Sequence, residues 1–258
     1  MDKNNVVTNG TRDEEKKDIP YENQILIGEE KSEAIAQKDS ALKRLDTTFN
    51  KHIELNEFKK SNILAYWIKD FSNYHDNEKY FNPNTLKRYR RGDIIKVNLG
   101  FNVGNELGGL HYCVVLNKND SMSSGTLTVV PLSSNKENKK YHANTVNLGD
   151  ELYQLLNKKF TAEAVQVYKE LSELEVDASP IEATKELTHK LHNLAKIKAE
   201  VSRMKSGSIA LVNQITTISK QRIYNPKNNS DILANIRLSK ESSMLIDNKI
   251  AELFMKKI

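Results

Sequence analysis

His111 can serve as base or acid, because an imidazole with an ordinary pKa of about 6.5 gives or takes a proton near neutral pH. It follows a ten-residue segment, 100–109, that holds four glycines together with Asn102, Asn105 and Glu106. A loop that rich in glycine lets backbone approach a ligand closely. Upstream, Lys87, Arg88, Arg90 and Arg91 surround Tyr89. Such a run can contact phosphates while the ring stacks on a base, although a solvated basic linker has the same pattern. The adjacent loop favours the nucleic-acid reading.

These residues need elements to hold them. A turn at Arg91-Gly92-Asp93 leads into a run in which Ile95, Val97 and Leu99 alternate with Lys96 and Asn98, the period of a half-buried strand. A second strand is expected at 112–116 and, after a turn at 119–125, a third at 126–132 with Ser133 and Ser134 at its far end. A polar, lysine-rich turn at 135–140 and a short strand at 144–148 follow.

The order of these blocks, Gly92-Asp93, strand, a Gly104-to-Gly109 loop containing Glu106, strand, and Thr126-Leu127-Thr128-Val129-Val130-Pro131-Leu132-Ser133-Ser134, is similar to the PemK/MazF toxins of bacterial type II toxin-antitoxin systems. A later block from Gly207 to Arg222, with Gln214-Ile215-Thr216-Thr217-Ile218-Ser219-Lys220-Gln221-Arg222, resembles a second signature of that family. The resemblance implies an α+β fold. A small SH3-like β-barrel would be built from 86–150 and 206–225, with flanking helices and an inserted helical hairpin. It also implies a metal-independent endoribonuclease that cuts single-stranded RNA through attack of the 2′-hydroxyl, works as a homodimer and is silenced by a cognate antitoxin.

Residue by residue, His111 stands where the family commonly has arginine, and Ser133 where it carries a hydroxyl, usually that of threonine. Glu106 matches the loop glutamate, and Gln214, Lys220 and Arg222 match the late signature. The expected catalytic set is therefore His111, Ser133 and Glu106. The expected RNA-binding set is Arg88, Arg90, Arg91, Asn105, Gln214, Lys220 and Arg222. Each has a structural alternative: a strand-start histidine, a strand-end serine, a solvated loop carboxylate, or residues that cap a sheet. The exchange of arginine for His111 keeps a non-enzymatic reading open, either a binding protein or a gyrase-poison-like toxin on the same fold. An RNA-binding or regulatory assembly factor is a third reading.

Composition sets wider bounds. With 39 basic against 34 acidic residues among 258, the net charge of +5 permits a polyanionic partner without requiring one. The single cysteine, Cys113, cannot form an intrachain disulfide and sits among apolar neighbours, which fits a buried side chain in a reducing compartment. No apolar signal core or run of about 20 apolar residues is present, so a cytoplasmic protein with no membrane partner is expected. No cofactor is expected. Of the six histidines only His189 and His192 have helical ligand spacing, and no carboxylate or cysteine set completes a metal site. The loop also lacks the lysine and hydroxyl residue of a phosphate-binding P-loop.

The remainder reads as helix. Residues 1–22 read as a disordered tail and 23–85 as an N-terminal helical extension. Within it Ile35, Leu42, Leu45, Phe49 and Ile53 make a narrow stripe that suggests a partner helix. Ser61 is the expected cap of a second helix whose Leu64, Trp67, Ile68 and Phe71 pack on the barrel. The domain at 86–258 is interrupted at 152–205 by a helical hairpin, with a start signal at Ser179-Pro180-Ile181-Glu182 and an acidic first arm, and it ends in a helix at 239–257 capped by Ser239.

Overall fold

A computed structural model describes residues 21–135, 143–173, 180–202, 204 and 207–256. The tail up to residue 20, all but the first residue of the polar turn at 135–140, and the Ser179 cap lie outside the described residues. The chain forms two compact units, one ending at Asn62 and one running from Ile63. Their boundary falls within the second helix, whereas the sequence suggests one near residue 85.

In the first unit, α1 (Tyr21–Glu54) runs for 34 residues. It stops where Asn56 adopts φ 59°, a left-handed conformation that asparagine tolerates at a helix end. After three residues α2 (Phe58–Asp76) begins. Ser61 is therefore not the cap of α2: its amide already donates to the Glu57 carbonyl at 3.1 Å, inside the helix. Along α1, Ile35, Leu42 and Ile53 of the expected stripe are exposed, while Leu45 and Phe49 are half-buried.

The second unit contains most of α2 and seven antiparallel strands: β1 (Ile94–Asn98), β2 (Leu110–Val115), β3 (Thr126–Ser134), β4 (Thr145–Asn147), β5 (Ser208–Leu211), β6 (Thr216–Ser219) and β7 (Ile223–Asn225). The main ladder runs β4-β5-β3-β2-β1-β7, and β6 also pairs with β3. The nine residues of β3 serve two neighbours on one edge, with Thr126–Val129 against β6 and Leu132–Ser134 against β5. Between these stretches lies Pro131, which has no amide hydrogen to donate to either.

The expected closed barrel is not formed. β6 and β7 are the two edges of a curled segment, β6-β3-β2-β1-β7, and are joined by the 3-10 turn Lys220–Arg222 rather than by a ladder. The late signature thus divides between two strands, β5 and β6, and ends in the turn that precedes β7. Both faces of the central strands are buried. Ile95, Val97, Cys113, Val115, Leu127, Val129, Ile218 and Ile223 fill the inside of the curl. Ile94, Val114, Val130 and Leu132 face a second core on the outside. Alternation alone suggests a half-solvated β1, and the helices that cover its outer face explain the difference.

Those helices are the insertion, α3 (Glu151–Glu173) and α4 (Pro180–Ser202), and the final α5 (Lys240–Phe254). Leu152 and Leu156 at the root of α3, with Ile246 of α5, complete the outer core. The hairpin is tied down at its base: Lys96 of β1 reaches Glu200 at 2.9 Å, and the Tyr112 hydroxyl donates to the same carboxylate. Lys159 donates to the carbonyls of Asp231, Ile232 and Ala234 at 2.8–3.2 Å. Further out, Glu170 of the acidic arm is paired with Lys190 at 2.8 Å. Ser239 caps α5 as expected, accepting from the Ser242 amide at 3.1 Å.

The seam of the curl depends on a buried ion pair, Lys220 Nζ to Asp120 Oδ1 at 2.7 Å, with both side chains 1% exposed. Asp120→Ala leaves the ammonium enclosed without its partner and is expected to cost about 3–5 kcal/mol. Urea denaturation measures this, and a loss under about 1 kcal/mol would mean that water or another group satisfies Lys220.

Candidate active site

The loop between β1 and β2 is closed at its base by hydrogen bonds from Leu99 N to Gly109 O at 2.8 Å and from Gly109 N to Gly100 O at 2.6 Å. Two of its glycines are required by packing. At Gly100, φ is +87° and an added Cβ would lie 2.8 Å from the Trp67 ring. At Gly108 it would lie 2.6 Å from the Gly100 carbonyl oxygen. These positions let the loop fold tightly on itself and on α2, rather than opening backbone to a ligand.

Gln214, just before β6, holds the tip of the loop. Its Nε2 donates to the Asn105 carbonyl at 3.2 Å and its Oε1 accepts from the Leu107 amide at 3.2 Å. The loop and the β5–β6 connection thereby enclose a cavity of about 320 Å³, with Glu106, Asn102, Thr216 and Arg222 on its wall and Leu99, Pro131 and Ile218 among its apolar lining. Arg222 is the cation among the lining residues. Its Nε donates to the Asn98 carbonyl at 2.8 Å, and its guanidinium lies 5.3 Å from the centre of the Trp67 ring. Burial pushes its pKa down from the ordinary value, but a guanidinium starts so high that it stays charged at neutral pH. The wall thus carries one fixed cation, amide and hydroxyl groups able to donate, and one carboxylate.

His111 and Ser133 lie beside this cavity, not on its wall. The His111 Nδ1 is 3.2 Å from the carbonyl oxygen of Leu132, the residue before Ser133. A carbonyl only accepts, so in this geometry Nδ1 carries a hydrogen and Nε2 is the ring nitrogen not engaged by this carbonyl. Glu106 does not orient His111. It is exposed, and its Oε2 accepts from the Val103 amide at 3.4 Å. The fold thus groups Glu106 with Asn105, Gln214 and Arg222, and separately places His111 next to Ser133.

The remaining RNA-binding candidates are located elsewhere. Arg88, Arg90 and Arg91 precede β1, whereas the loop follows it, and five strand residues at ~3.3 Å each put roughly 15 Å between them. Tyr89 is fully buried and donates its hydroxyl to the Pro226 carbonyl at 2.7 Å, so it is not a stacking surface. Arg88 Nε donates to the Asp120 carbonyl at 3.1 Å. Arg91 is bound to the Leu116 carbonyl and to Asp247, and Arg90 is exposed. Lys220 is enclosed in its pair with Asp120 and is not presented to solvent. Its neighbour two residues on, Arg222, is the one the turn delivers to the cavity.

The sequence does not single out Asn98, Asp70 or Tyr74 as site residues. Asn98 Nδ2 donates to Asp70 Oδ2 at 2.9 Å, and its Oδ1 accepts from the Gly100 amide at 3.0 Å. Tyr74 also bonds to Asn98, and its phenol pKa is raised, first by burial and then by Asp70. Trp67, Asp70 and Tyr74 lie three and four residues apart on one face of α2, and that spacing is the signal available in the sequence.

Cys113 is no nucleophile, since burial raises its thiol from 9.0 to about 12. The unfolded chain loses this proton first as pH rises, so between those values the folded state binds more protons and its stability falls with increasing pH. Tyr89, raised chiefly by burial and then by Asp120, acts in the same direction. The urea midpoint of Cys113→Ala is therefore expected to fall less steeply than that of the native chain across this alkaline window, and parallel slopes would contradict the assignment.

Comparison with known proteins adds one match. No curated protein matches the chain. Residues 90–171 match the family model described as PemK-like, MazF-like toxin of type II toxin-antitoxin system, a range that contains the loop, Glu106, His111 and Ser133 but ends before Gln214 and Arg222. The chain therefore carries a domain of the PemK/MazF toxin family of type II toxin-antitoxin systems.

Proposed function

We propose that the protein is the toxin of a type II toxin-antitoxin pair and acts as an endoribonuclease on single-stranded RNA. The observation that carries this reading is the cavity of about 320 Å³ in which the loop of the matched domain and Arg222 meet. RNA brings its own nucleophile. A base removes the 2′-hydroxyl proton, the 2′-oxygen bonds to the neighbouring phosphorus, the bond from phosphorus to the 5′-oxygen breaks, and that oxygen takes up a proton. The products are a 2′,3′-cyclic phosphate and a 5′-hydroxyl. His111 and Glu106 are the proton-transfer groups, His111 through Nε2. Arg222 balances the charge that develops on phosphorus, and the Ser133 hydroxyl donates to a phosphate oxygen. No metal is needed for these steps. In this reading the protein is cytoplasmic, works as a homodimer and is neutralised by a cognate antitoxin.

A second reading is favoured by one observation: His111 and Ser133 do not line the cavity that Glu106 and Arg222 share. A non-enzymatic toxin on this scaffold, including a gyrase poison, would not require the two groups to converge.

Incubation with single-stranded RNA in EDTA tests between the two. Cleavage with cyclic-phosphate ends is expected. Intact RNA together with stalled gyrase would establish the second reading, and strict magnesium dependence would refute a metal-free attack by the 2′-hydroxyl. His111→Ala is expected to stay folded and to lose ~10²-fold or more in cleavage rate. A loss below about threefold, well short of that range, would assign His111 to packing.

A further inference from the structure

Beyond the cavity, on the other side of Arg222, an open groove of about 550 Å³ runs between α2 and β7. Tyr66 of α2 and Tyr224 of β7 both line it, and the two residues are 72% and 65% exposed. Lys227, also exposed, stands at its margin. The Lys96 ammonium lies 5.9 Å from the Tyr224 ring. Asp70 is the carboxylate among the lining residues, and it accepts the hydrogen bond of Asn98 at 2.9 Å. Arg222 lines both the groove and the cavity, so a polyanion bridged by this guanidinium passes from one to the other.

We propose that this groove is a second binding site for single-stranded RNA, in which nucleotides flanking the cleaved bond stack on Tyr66 and Tyr224 and a phosphate contacts Lys227. The Tyr66 and Tyr224 rings are both held open to water in the second unit. Every nucleobase offers a π-face to such a ring, so the contact tolerates sequence while extending the length of RNA that is gripped. Two cations against one hydrogen-bonded carboxylate give the groove the sign that phosphate requires. The site rests on the endoribonuclease reading, and α2, which precedes the matched family range, supplies one wall of it.

The test uses the full chain and fluorescence anisotropy with 2′-O-methyl RNA, which lacks the attacking hydroxyl and reports binding apart from cleavage. Two probes of mixed sequence are compared, a trinucleotide and an oligonucleotide of about ten residues, longer than the cavity alone would contact. The native chain is expected to bind the longer probe about tenfold or more tightly, the size of effect that one or two base stacks give. In the doubly substituted Tyr66→Ala, Tyr224→Ala protein that preference is expected to collapse, whereas the Tyr66→Phe, Tyr224→Phe protein retains it because stacking uses the ring. Lys227→Ala is expected to lower the slope of log affinity against log salt by about 0.7, the value for one phosphate contact on a single strand. A native chain with no length preference, or a double alanine protein that keeps it while folded by circular dichroism, overturns the proposal. If that protein instead loses its complex with the antitoxin, the groove is a protein-docking face and the proposal is likewise overturned. Failure of the native chain to cut RNA in EDTA would strike the endoribonuclease reading and leave this binding comparison to be judged separately.

Discussion

Lys220 is fully enclosed, and its ammonium reaches Asp120 Oδ1 at 2.7 Å and the Ser121 carbonyl at 3.1 Å. The other Asp120 oxygen accepts from the Tyr89 amide at 3.1 Å, and the Lys220 amide donates to the Gly125 carbonyl at 2.8 Å. One ion pair thereby joins the segment that enters β1, the β2–β3 turn and the turn between β6 and β7. No ladder links β6 to β7, so this polar clasp closes the curl. A buried pair of this kind contributes modestly as a pair but strongly resists removal of either member, because the survivor is left charged in a low dielectric.

The same turn sets the chemistry of the cavity. A 3-10 turn advances three residues per revolution, so residues two apart point in well-separated directions. Lys220 is thus turned into the seam while Arg222 reaches the Asn98 carbonyl and the cavity wall. Asn98 is bonded in turn to Asp70 and to the Gly100 amide, and the Trp67 ring lies against both Gly100 and Arg222. The orientation of the candidate cation and the root of the loop are therefore coupled through α2. The helical insertion is coupled to the opposite face, through Lys96, Tyr112 and Glu200. Its acidic arm is met by Lys190 within the hairpin, and the root of the insertion, at Leu152 and Leu156, enters the outer core.

Much of the fold was legible in local pattern. Alternation in β1, the turn before β3, the helical hairpin and the Ser239 cap follow from rules that act over a few residues, and each is present. Pattern also marked the loop and Gln214, which meet through two hydrogen bonds across more than a hundred residues of sequence. It could not say that Gly100 and Gly108 are required by packing, since the neighbours that exclude a side chain there are the Trp67 ring of α2 and the Gly100 carbonyl across the folded loop.

What the sequence by itself determined was the family of the segment around the loop and the set of groups with the right chemistry. What only the tertiary structure decided was which of those groups are usable. Arg88 and Lys220 have the same cationic character in sequence as Arg222, yet Lys220 is buried, Arg88 is bonded to the Asp120 carbonyl, and Arg222 lines the cavity, while the aromatic Tyr89 is buried as well. The reason is physical. Charge and aromaticity belong to the residue, but exposure, partner and direction come from how a curled sheet is closed, and that closure is set by contacts between residues far apart in the chain.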